Sequence, residues 1–228
     1  MSGRVLEVVE PGLVPYAEAL AWQRALAAAR IAGQLTHDVI LLLEHPPVVT
    51  LGRGSQDAHI LRRDGIDVVA VERGGDVTYH GPGQLVGYPI LHLGDHRQDL
   101  HWYLRTLEQA LIAALAELGV PAERHPAYTG VWAGGRKIAS IGVHVKQWVT
   151  WHGFALNVTT DLTAFDRIVP CGIPGVAMTS VEREIGAASR DGSLWDRSVA
   201  AVIHGFAGAL GVTVVRQELA APLERATR

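Results

Sequence analysis

Cysteine is nearly missing from this chain. Cys171 is the single thiol among 228 residues, so no internal disulfide can form; this fits a reducing compartment and leaves one free sulfur to account for. Long hydrophobic runs are missing as well. The longest uninterrupted apolar stretch, Ala110 to Ala116, is far too short to cross a bilayer. The first residues carry Arg4, Glu7 and Glu10 and no long apolar core ending in a small-residue cleavage site. No secretory signal is read there, and a cytoplasmic location is the expectation. A net charge of -3 offers no basic surface for phosphates and sets nucleic acid aside as a partner. Low-complexity tracts, fixed-period repeats and long Ser/Gly linkers are absent, so the chain reads as a single domain. Among the 11 histidines there is no His-Glu-x-x-His pattern, and no cysteine pair exists, which leaves a metal site without support.

What is present alternates between helix and strand signals. A helix is expected from Pro15 to Ala32, where Ala19, Trp22, Leu26 and Ala29 recur at helical spacing before Gly33. Val39–Leu43 and Val48–Leu51 read as a strand pair broken by Pro46 and Pro47, followed by short strands at 68–71, 77–79 and 85–91. Asp99 can cap a helix whose stripe runs through Leu100, Tyr103, Leu104, Leu107, Leu111, Leu115 and Leu118. Three strands are expected between Gly130 and Val158, with turns at Gly134-Gly135 and near Val149. A last helix, 194–210, has Ser193 as a possible cap and precedes a strand at 212–215. Hairpins mixed with helices indicate an α+β domain: a mixed, largely antiparallel sheet with packed helices.

The lone cysteine sits in Ile-Val-Pro-Cys-Gly-Ile-Pro-Gly. A single cysteine is commonly a small buried hydrophobe. Here Pro170, Gly172, Pro174 and Gly175 favour a rigid loop, on which a thiol is displayed. Within Arg136 to Val145, strict alternation places Lys137 with Ala139, Ile141, Val143 and Val145, as the only charge on an apolar face. Burial disfavours an ammonium, so a lysine there can exchange protons; a lysine near a strand end can equally snorkel to water. An amine beside a thiol favours the thiolate or takes its proton, and spacing alone leaves open whether Lys137 and Cys171 meet. His144 and His152 face each other across the second turn and read as surface residues or residues behind a site.

The run Arg73-Gly74-Gly75-Asp76-Val77-Thr78-Tyr79-His80-Gly81-Pro82-Gly83-Gln84 lets a ligand approach the backbone, yet lacks the Gly-Lys-Ser/Thr ending of a P-loop. Taken with Gly135 to Gly142, His152 to Asn157 and Ile168 to Gly175, it resembles the lipoyl(octanoyl) transferases of lipoate biosynthesis. The resemblance implies the fold of the biotin and lipoate protein ligases and transfer of an octanoyl group from acyl carrier protein to a lysine of a lipoyl domain. The acceptors it implies are the lipoyl domains of 2-oxoacid dehydrogenase complexes and the glycine cleavage H protein. Cys171 matches the family's acyl-carrying nucleophile and Lys137 its partner. Arg73, Gly74, Gly75, Asp76, Val77, Thr78, Tyr79 and His80, with Ser140, Ile141, Gly142, Gly153, Phe154 and Ala155, match its substrate-binding segments. No cofactor is implied, because a thioester donor is already activated.

Two rivals keep the pocket: an ATP-dependent ligase of the same fold, which needs no cysteine, and an acyl-carrier-binding module without catalysis. Two further expectations follow. Backbone N–H groups around Gly172 serve as an oxyanion site. Arg53, Arg62, Arg63 and Arg73 form a local basic patch toward acidic protein partners.

Overall fold

A computed structural model describes residues 4–63, 65–186 and 192–226. Among the described residues ten strands form two sheets: β1 (Val5–Leu13), β2 (Asp38–Glu44), β3 (Val48–Leu51), β4 (Asp67–Ala70), β5 (Val77–His80), β6 (Gln84–Ile90), β7 (Val131–Ala133), β8 (Arg136–Lys146), β9 (Val149–Asn157) and β10 (Thr213–Gln217). The helices are α1 (Tyr16–Ile31), α2 (Leu100–Glu117), α3 (Val181–Ile185), α4 (Leu194–Leu210) and α5 (Ala220–Ala226). The larger sheet runs β10-β1-β2-β6-β9-β8-β7, and the smaller β4-β3-β5. β10, β1 and β2 are parallel, and the pairings from β2 through β6, β9 and β8 to β7 are antiparallel. The α+β reading holds.

The central strand β2 explains the layering. Its apolar run is buried on both faces: Ile40 and Leu42 enter the core with α2 and α4, while Val39, Leu41 and Leu43 enter the core with α1 and α5. Alternation along one strand therefore joins two helical layers across the sheet. Asp99 caps α2 by accepting from Trp102 N at 3.0 Å. Leu100, read as the start of the apolar stripe, is exposed, and burial begins at Tyr103. Where α2 and α4 cross, a methyl group on Gly205 would collide with the Ala110 carbonyl oxygen, so glycine there permits the close approach.

Two expectations fail. Val39–Leu43 and Val48–Leu51 do not pair. Pro46-Pro47 redirects the chain, so β2 stays in the large sheet while β3 pairs with β4 and β5. The strand β1 was not expected, because Glu7, Glu10 and the Pro11-Gly12 step interrupt its pattern. It forms because both of its edges find parallel partners.

Candidate active site

The segment that carries Cys171 is pinned on both sides. Upstream, Val169 N donates to His59 O at 2.8 Å, and Leu61 N and Arg62 N donate to Arg167 O. Downstream, Lys137 N donates to Ala177 O at 2.8 Å and Thr179 N donates to Lys137 O at 3.0 Å. This last pair of bonds ties the chain beyond the cysteine to the first residues of β8, which is how two groups 34 positions apart become neighbours. Lys137 Nζ donates to Cys171 Sγ at 3.0 Å, and the Ser140 hydroxyl oxygen lies 3.6 Å from the same sulfur. Cys171 itself has φ 57° and ψ 20°, a left-handed conformation that costs a non-glycine residue about 1 kcal/mol or more and is kept where the surroundings over-determine it.

Lys137 is 1 % exposed and its Nζ lies 5.0 Å from the centre of the Trp132 ring. Its face differs from the one alternation assigns. A one-residue register shift pairs Val131 with Ala139 but Trp132 with Lys137. Lys137 and Ser140, three positions apart and nominally on opposite faces, therefore both reach the sulfur, while Ile141, Val143 and Val145 pack on the core with α2 and α4. The oxyanion expectation is narrowed at two of its groups. Gly172 N donates to Val169 O at 3.0 Å and Ile173 N to Pro170 O at 3.1 Å, so neither N–H is free to meet a substrate oxygen.

Cys171 and Lys137 open onto a cavity of about 240 Å³. Of the residues matched to binding segments, Arg73, Gly75, Asp76, Thr78, His80, Ser140, Ile141, Gly142, Gly153, Phe154 and Ala155 line it. Gly74, Val77 and Tyr79 do not. Val77 and Tyr79 alternate to the other face of β5 and pack with Phe165 and Met178, and Gly74 N donates to Val143 O at 2.9 Å. Arg73 is buried, with Nη2 donating to Thr50 O at 2.8 Å and to Thr50 Oγ1 at 2.9 Å. It belongs to the cavity wall, leaving Arg53, Arg62 and Arg63 as the exposed members of the expected basic patch.

The family model for the lipoyl protein ligase A/B catalytic domain matches residues 15–207. The chain belongs to that family. It is 58 % identical over 198 residues to an octanoyltransferase of Gloeobacter violaceus, covering 82 % of this chain and 89 % of the relative. It is 49 % identical over 208 residues to an octanoyltransferase of a Nostoc species, covering 90 % and 91 %. A solved lipoate-protein ligase A bound with ATP shares the fold, with TM-score 0.72 at 19 % identity over 100 % of this chain and 93 % of that one.

In this ligase A/B fold the rest of the cavity wall comes from His152 and Ile173, and from residues that the sequence did not single out: Tyr16, Tyr88, Ala127, Tyr128 and Thr129. Behind them lies an uncharged polar cluster. His45 Nδ1 donates to Val14 O at 2.7 Å, and the Tyr88 hydroxyl donates to His45 Nε2 at 2.7 Å. His80 bonds Gln84 Oε1 at 2.8 Å, and Gln84 in turn donates to Asn157 Oδ1 at 3.0 Å. Burial holds His45 down to about 4 and His152 down to about 3, pushes Tyr16 up to about 12, and lowers His80 and raises Tyr88 strongly. At neutral pH these five groups carry no charge. His152, read as a surface or supporting residue, is instead buried at φ 55°, lines the cavity, and has no hydrogen-bond partner on either ring nitrogen. His144 pairs with Trp151 in the β8–β9 ladder, and its ring centroid lies 4.2 Å from that indole. Among the described residues no cluster of metal-ligating side chains occurs, and no helix is long and apolar enough to cross a membrane.

Proposed function

We propose that this protein transfers an octanoyl group from the thioester of an acyl carrier protein to a lysine of a lipoyl domain, through a thioester on Cys171. The observation that carries the reading is the 3.0 Å contact between Lys137 Nζ and Cys171 Sγ at the edge of the cavity. A thioester donor and an amine acceptor on two proteins are hard to hold together, and a covalent intermediate divides one crowded step into two.

In the first step Lys137 takes the thiol proton and Sγ attacks the donor carbonyl carbon. The carbon–sulfur bond to the donor then breaks, and the departing thiolate takes the proton from Lys137. The acyl group is left as a thioester on Cys171, its chain in the cavity between Phe154, Ile141 and the bare backbone of Gly142 and Gly153. In the second step the acceptor lysine, having lost one proton to solvent, attacks that thioester as a neutral amine. Its second proton passes to Lys137, the carbon–sulfur bond breaks, and Cys171 regains its proton. Ser140 Oγ and the Lys137 ammonium are the donors nearest the reacting sulfur and supply the charge stabilisation that the bonded N–H groups of Gly172 and Ile173 do not.

The acceptors are the lipoyl domains of 2-oxoacid dehydrogenase complexes and the glycine cleavage H protein, and the reaction runs in the cytoplasm without nucleotide. Intact mass of the protein after mixing with octanoyl carrier protein, without ATP, tests the reading. An octanoyl adduct lost in Cys171→Ser supports it. An adduct that requires ATP supports a ligase, and the absence of any adduct supports a binding module. Lys137→Met is expected to slow adduct formation by about 10²-fold or more, the usual contribution of a positioned proton carrier.

A further inference from the structure

The loop that carries Cys171 has a second hollow on its other side, of about 640 Å³, with Leu61, Phe165, Ile168 and Met178 in its walls and Arg183 among its polar residues. The hollow follows the loop closely. Val169 and Pro170, then every residue from Ile173 to Met178, line it, whereas Cys171 lines the acyl cavity. Ile173 lines both spaces, so they lie against the same residue, two positions from the nucleophile. Its lining is mixed, slightly more polar than apolar, and includes Thr163, one carboxylate, Asp166, and the exposed Arg183.

We propose that this groove holds the thiol arm of the acyl donor, the phosphopantetheine-type chain of an acyl carrier protein. The inference rests on the acyl-enzyme reading above. When Sγ attacks a thioester, the carbonyl carbon bears two substituents that must go in different directions, the acyl chain and the sulfur with its arm. The acyl chain takes the smaller cavity. The arm then leaves past Ile173, and the groove is the space that receives it there. Its volume lies within the roughly 300–1,000 Å³ of small-molecule sites and far exceeds what the side chain of an acceptor lysine needs. A chain that alternates methylenes with amides suits such a mixed lining. A guanidinium such as Arg183 suits the phosphodiester at the far end, and Arg62 and Arg63, which directly follow Leu61, are exposed for the acidic carrier itself.

Two donors separate the arm from the thioester chemistry: octanoyl-4′-phosphopantetheine, and octanoyl-N-acetylcysteamine, whose arm ends after the first amide. The readout is the ratio of the rates at which each acylates Cys171, followed by intact mass. The wild-type ratio is expected to favour the full arm by about tenfold or more, one step of 1.4 kcal/mol. Ala177→Trp, which fills the groove from an exposed position, and Arg183→Glu are each expected to cut that ratio about fivefold or more. Equal rates for the two donors in the wild type, or a ratio unchanged in both variants, overturn the groove assignment while leaving the acyl-enzyme intact. Failure of both donors to acylate Cys171 overturns the acyl-enzyme reading and the groove with it.

Discussion

Lowering the pH from 7.5 to 5 should weaken the fold through a histidine far from solvent. His45 is completely buried between the Val14 carbonyl and the Tyr88 hydroxyl, and burial holds it at about 4 against an ordinary value of 6.5. The folded state therefore refuses a proton that the unfolded chain accepts. The stabilisation from neutral His45 is fully present above pH 6.5 and is lost as the pH falls from there toward 4. At pH 5 the unfolded chain is about 1.5 pH units into that window, which costs ~2 kcal/mol of stability. For a chain of this size that is a fall of roughly 4–8 °C in Tm. His152, held at about 3 by burial, adds a loss of similar size. Urea unfolding at the two pH values, on wild type and His45→Gln, isolates the His45 share. The variant loses hydrogen bonds and is weaker at pH 7.5, yet its stability should change by ~2 kcal/mol less between the two pH values. An identical pH dependence in both proteins would refute the reasoning.

Two substitutions probe tight spots. Gly205→Ala forces α4 away from the Ala110 carbonyl of α2 and should cost about 1–3 kcal/mol in chemical denaturation, with no direct effect on the cavity. Gly172→Ala combines a φ of 66° with a collision of the new methyl with the Asp76 carboxylate. It should slow acylation of Cys171 at least tenfold, through about 1.4 kcal/mol or more of barrier, while Tm moves little, because the change is confined to a loop.

The elements with a strong period were legible in the sequence. The stripe on α2 and the hairpin at Gly134-Gly135 announced themselves through spacing and turn chemistry. β1 did not, because its stability comes from two flanking strands and not from its own pattern. The catalytic pair was legible as two candidate residues but not as a pair. What joins them is the ladder between Lys137 and residues 177–179, a long-range contact with no local signal. The face of Lys137 was misread for a related reason: a register shift is a property of two strands, and alternation counted along one cannot reveal it. Arg73 looked like a surface charge until Thr50 was found beneath it. The neutral wall of the cavity was the least visible part. Tyr16, His80, Tyr88 and His152, with His45 behind them, come from or beside five different elements, and only His80 and His152 lie in runs that drew notice.

The central claim is that Cys171 carries the acyl group in transit, and a chase measures it directly. Octanoyl-enzyme is isolated free of donor and mixed, without ATP, with a lipoyl domain bearing an unmodified lysine, and both proteins are weighed intact over time. The prediction is that the octanoyl mass leaves the enzyme and appears on the domain at matching rates, quickly enough to account for steady-state turnover. An adduct that persists while the domain stays unmodified, or a domain acylated only when free donor is restored, would contradict it.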